Sequence, residues 1–185
     1  MTDAAPLEAD GQANRTEKPA ATAREIKALA HPLRLRILRL CGLQELTNKE
    51  LADRLGQDPG TMFYHVRQLL STGFLEPAEV RTGSSGALEK PYRSTGRSWN
   101  LDTALSDADP DSPLAPVEAF REELVEAGPD ALASLSRFAL HLSAEDAEDL
   151  ITRIDAVLSE YTDSDKQRSD QPTYGGIFVL HRTAD

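Results

Sequence analysis

The chain has 185 residues, 39% hydrophobic and only 5% aromatic, which leaves room for one large or two small domains and a modest core with polar tails. A single cysteine, Cys41, excludes an internal disulfide framework and suits a reducing compartment, and no apolar run approaches the roughly 20 residues that span a bilayer. The formal charge of −11 argues against a polyanionic partner until its distribution is seen: residues 20–100 hold twelve basic against eight acidic side chains, and residues 101–185 six against nineteen. Attraction to a polyanion depends on the field within a Debye length, about 8–10 Å, so a basic middle segment counts for more than the total.

Residues 1–22 are polar and aperiodic and are expected to form a disordered tail. They lack the basic start and apolar stretch of a secretory signal, which predicts a cytoplasmic protein. A short helix is predicted over 23–30. His31-Pro32 interrupts it and opens a second helix over 32–42, with Leu33, Ile37, Leu38 and Cys41 on one stripe, Arg34, Arg36 and Arg39 off it, and Gly42 as terminator. Thr47-Asn-Lys-Glu50 is a capping box that starts a helix burying Leu51, Ala52 and Leu55. After a turn at Gly56-Gln57, Asp58 caps a helix that begins at Pro59 and runs to Thr72, with Gly73 just past its end and Met62, Val66, Leu69 and Leu70 inward. Two short strands, 74–81 and 90–95, flank the loop Thr82-Gly-Ser-Ser-Gly86 as a hairpin. An acidic Pro/Ser linker follows over 103–116. Helices are then expected at 115–127 (ended by Gly128), 129–142 and 143–162, and a terminal strand at Ile177–Leu180.

Helix, helix, capped helix, tight turn, helix, hairpin is the order of a winged helix-turn-helix, here over 23–102. In that geometry the helix at 59–72 enters the major groove of double-stranded DNA, its N-terminal half nearest the bases. Its expected outward face holds Gly60 (close backbone approach), Thr61 (a phosphate or a thymine methyl), Tyr64, His65, Gln68 (adenine) and Arg67 (phosphate or guanine). Free amides at the helix start favour a further phosphate. Thr47 at the preceding helix, and Arg81, Lys90 and Arg93 in the wing, complete the expected DNA-binding set.

ALAHPLRLRILRLC, LTNKELADRLGQDPGTMFYHVRQLLSTGFLEP and the Gly/Ser wing ending in KPYRST together resemble the winged-helix domain of the arsenic-repressor (ArsR) family of bacterial regulators, over about 80 residues. The resemblance implies a homodimeric cytoplasmic transcription regulator, usually a repressor, on an inverted-repeat operator; the longer form with an appended helical domain is similar to some actinobacterial members. The metal-sensing members carry a Cys-x-Cys site where this chain has Glu45-Leu-Thr-Asn-Lys-Glu50, and others use His and acidic pairs on a C-terminal helix where His141 stands alone, so neither metal site is present in the pattern.

The remaining features have structural explanations. Cys41 lies on an apolar stripe and is expected to be a buried hydrophobe. The acidic run Glu145, Asp146, Glu148, Asp149 follows Ser143 and complements a helix dipole, without the glycine of a calcium loop. Nucleotide-binding and nucleophile-elbow motifs are missing, so no enzymatic activity and no cofactor are expected. The expected fold is mainly α, a winged helix-turn-helix followed by a small helical domain over 117–185 with a terminal strand. That second domain is expected to dimerise or bind an effector of unknown chemistry, and its excess of carboxylates predicts that it faces away from DNA. The alternative function is a winged-helix adaptor that binds another protein and no DNA.

Overall fold

A computed structural model describes residues 19–83, 86–99 and 114–183. The tail at 1–18, the loop tip Ser84-Ser85 and the linker at 103–113 lie outside the described residues. The chain divides into two compact units, residues 1–116 and 117–185.

The first unit begins with α1, Ala23–Leu29, opened by a capping box in which Thr22 and Glu25 satisfy each other's backbone amides. Helix α2 spans Pro32–Leu43, with the His31 ring accepting from the Leu33 amide. Gly42, expected to end it, instead lies inside the helix. It lacks the positive φ of a terminator, and a Cβ there would sit in ordinary contact with Ser94. Arg34, expected off the apolar stripe, is buried and donates to the Lys27 carbonyl at 2.6 Å, which ties α2 to the end of α1.

Helix α3, Asn48–Leu55, carries the expected Thr47/Glu50 capping box and ends at Gly56, whose φ of 61° is the left-handed conformation that glycine adopts without penalty. Helix α4, Pro59–Ser71, follows α3 after three residues, capped by Asp58. The wing is a hairpin in two parts. Strand β1, Leu75–Pro77, pairs antiparallel with β4, Tyr92–Ser94, and β2, Arg81–Thr82, with β3, Leu88–Glu89. Residues 78–80 interrupt the ladder, and an isolated bridge joins Leu46 to Tyr92, so the stem of the wing is stitched to the segment before α3.

One core holds this unit together: Ile37, Leu38 and Cys41 of α2, Leu51, Ala52 and Leu55 of α3, Met62, Val66 and Leu69 of α4, with Leu46, Phe74 and Leu75 beneath the wing. These are the apolar positions that 3.6-residue spacing selects.

In the second unit α5, Ala115–Ala127, begins just before the division and ends at Gly128, φ 83°. The helix expected over 129–142 is absent: only a single 3-10 turn, Pro129–Ala131, precedes non-helical backbone over 132–143. Leu132, Leu135, Phe138 and Leu142 keep the helical spacing that predicts this helix, but none of them is packed: all four are 39–81% exposed. Helix α6, Ala144–Asp163, has a capping box of Ser143 and Asp146. Residues 177–180, expected as a strand, belong to no ladder among the described residues.

The molecule is thus mainly helical, with six α-helices among the described residues and an antiparallel wing after the helix-turn-helix.

Candidate nucleic-acid interface

The α3–α4 pair is fixed by short polar links at its turn. The Asp58 carboxylate accepts from the Gly60 and Thr61 amides at 2.8 and 3.1 Å, and the Asn48 side chain donates to the Pro59 carbonyl at 3.0 Å. These bonds correct one expectation. The amides at the start of α4 are taken by a carboxylate rather than left open to a phosphate, because the N-cap that starts the helix uses the same donors.

With Met62, Val66 and Leu69 completely buried, α4 turns Gly60, Thr61, Tyr64 and Arg67 to solvent and leaves Gln68 half-buried. Gly60, Phe63, Tyr64, Arg67, Gln68 and Ser71 line a shallow groove of about 410 Å³ along the helix. Phe63, absent from the sequence-based set, is 49% exposed, with the Arg67 guanidinium 5.9 Å from its ring centroid. Its four-residue spacing from Arg67 was a legible signal that the two share a face.

Two expected members are not on this face. His65 is only 6% exposed. Its ring lies 4.5 Å, centroid to centroid, from that of His31, with Tyr64 edge-on at 5.3 Å. Burial first, and then the nearby His31 and Arg34, push its pKa down to about 4, so the imidazole is neutral at neutral pH. The position could have been found: 65 is three past Met62 and four before Leu69, the inward spacing. Thr47 is likewise buried, its hydroxyl accepting from the Glu50 amide at 3.2 Å.

In the wing, Arg81 is committed to carboxylates. Its guanidinium reaches Glu50 at 2.6 and 2.8 Å and Glu89 at 3.0 Å, so it clamps the wing to the start of α3. Arg93 pairs with Glu76, its cross-strand neighbour, at 2.7 Å. Lys90 is exposed. Arg97 lies outside the set that the sequence pattern selects. It donates to the Thr72 carbonyl at 3.0 Å, lies over the Phe74 ring and bonds Glu25, joining the end of α4 to the start of α1.

Among the described residues no group of three or more His, Cys, Asp or Glu side chains is placed to hold a metal, and no helix is long and apolar enough to cross a membrane. Cys41 is buried and its thiol is pushed up to about 12 by that burial, which leaves it protonated and unreactive.

A helix-turn-helix domain family matches residues 29–78, from the last residue of α1 to just past β1. With the wing that follows, the match marks the first unit as a DNA-binding domain of the kind found in transcription regulators. No curated protein matches the chain.

Proposed function

We propose that the chain is a transcriptional repressor of the arsenic-repressor type that binds an inverted-repeat operator as a homodimer. The observation that carries this reading is the outward face of α4, where Tyr64, Arg67 and Gln68 line one groove and Thr61 is exposed, on a helix tied to α3. These side chains supply the donors, acceptors and cation that phosphates and base edges require. Gly60 lets the backbone come close, and Lys90 adds a cation in the wing. Arg81 and Arg93 are assigned to holding the wing's shape, since their charges are already matched by carboxylates.

The homodimer rests on geometry and on exposed apolar surface. A palindromic site places two reading helices about 34–36 Å apart, one per subunit. The second unit displays Leu135, Phe138 and Leu140 outside its helices and Ile151, Val157 and Leu158 on α6, all more than 40% exposed, and such apolar area is characteristic of interaction surfaces. On that apolar surface the second unit, residues 117–185, is assigned to dimerisation; a hollow of about 210 Å³ lies beside Leu124, Val125 and Leu132.

The decisive experiment is selection of genomic fragments by the purified chain at two salt concentrations, beside a Tyr64→Ala/Arg67→Ala variant. Wild type alone should recover a shared inverted repeat, with affinity falling as salt rises. Recovery of the same unselective mixture by both proteins rejects sequence-specific regulation.

A further inference from the structure

An isolated exposed phenylalanine is ordinary on a protein surface, but Phe63 is not isolated. It lines the α4 groove with Gly60, Tyr64, Arg67 and Gln68, and the Arg67 guanidinium lies 5.9 Å from its ring centroid. We infer that Phe63 is a base-reading residue: it packs on the C5 methyl of a thymine while holding Arg67 against a neighbouring guanine. The inference rests on the DNA-binding reading of α4 and goes beyond it by naming which bases the helix selects.

The chemistry follows from the two side chains. In the major groove only thymine presents a methyl group, and an apolar side chain such as phenylalanine recognises it by contact. Guanine presents the O6 and N7 acceptors that suit a bidentate guanidinium. A cation over an aromatic face is held in place by the ring quadrupole, so Arg67 arrives with much of its conformational freedom already restricted. Residues four apart on a helix are separated by about 6 Å along its axis, and stacked bases by about 3.4 Å. The thymine and the guanine therefore lie one or two base steps apart in each half-site. The groove is mixed in character, with Gln68 and Ser71 beside the aromatics, which fits the alternating methyl and polar edges of base pairs better than the uniform apolar face of a partner helix.

The test uses the full chain and the duplex that it enriches from a random-sequence pool. Each thymine is then replaced singly by deoxyuridine, which removes the C5 methyl and nothing else. At one thymine per half-site, one or two base pairs from a guanine, the replacement is expected to weaken wild-type binding about fourfold, the worth of one methyl group withheld from water. Phe63→Ala should bind the two duplexes equally, and Phe63→Leu should keep most of the difference. An enriched duplex with no sensitive thymine, or a fourfold loss that persists in Phe63→Ala, overturns the contact while leaving DNA binding intact. The thymine scan needs only the wild-type chain, so it stands even if a variant fails to fold. If wild type enriches no sequence, the DNA reading and this contact fall together.

Discussion

His65 shows how a single side chain changes its role when its surroundings are known. In the folded chain its pKa is pushed down to about 4, and burial and Arg34 push His31 down as well; in the unfolded chain both titrate near 6.5. Between these values the unfolded chain binds protons that the folded chain refuses, so stability falls as pH drops from about 6.5 toward 4. The carboxylates held below their usual range, Glu25, Glu50 and Asp146, add their loss from the lower end of that window downward, as pH falls past the unfolded carboxylate values. The urea midpoint is therefore expected to fall between pH 7 and pH 4.5, and the fall should be shallower in His65→Phe. An equally steep fall in that variant would place the titrating group elsewhere. Thr61, Tyr64, Arg67 and Gln68 lie off the buried stripe of α4, a position legible in the sequence because helical spacing separates them from Met62, Val66 and Leu69. His65 is buried because its spacing from Met62 and Leu69 is that of the inward face, whatever its polar chemistry suggests.

At the scale of elements, the starts and ends of α3 and α4 depend on local chemistry: two N-caps, Thr47 and Asp58, and two glycines at positive φ. Gly73 follows the C-cap of α4 at φ 70°, and a Cβ there would come within 2.9 Å of the Arg97 guanidinium that bonds the Thr72 carbonyl. Gly73→Ala should cost about 1–2 kcal/mol, the penalty for an L-residue in the left-handed region. Gly73→Asn should cost less, because asparagine tolerates that region. Urea unfolding of the two variants measures both, and an unchanged midpoint for Gly73→Ala would mean that the turn does not hold its left-handed form in solution. In the segment 129–142, Pro129 and Asp130 make a credible start and Leu132, Leu135, Phe138 and Leu142 keep helical spacing, yet one 3-10 turn forms and stops, with those four side chains 39–81% exposed. Short-range start signals can nucleate a turn; only a packed apolar face sustains a helix.

For the molecule as a whole, the uneven charge and the exposed apolar side chains point to two different partners. The basic segment carries α4, and the acidic unit carries an α6 on which Ile151, Val157, Leu158 and Tyr161 are 42–64% exposed. A 20-residue helix with such a stripe gains its stability from whatever covers it. With a second copy as the cover, sedimentation at micromolar concentration should give twice the chain mass, and Leu158→Glu should return the monomer and weaken operator binding. A wild-type chain that stays monomeric at that concentration, both free and on the enriched duplex, would rule out the homodimer.

Local patterns in the chain were enough to specify the helix-turn-helix, its caps, its left-handed turns and its core stripe, because each depends on residues within about four positions of one another. Long-range pairings decided the rest. Arg81 is paired with Glu50, 31 residues away, and Arg97 with Glu25, 72 residues away. His65 is enclosed by His31, and Leu46 is bridged to Tyr92. No local pattern encodes such meetings. Whether a cation is available to a phosphate or already neutralised is settled only when the folded chain brings a carboxylate to it.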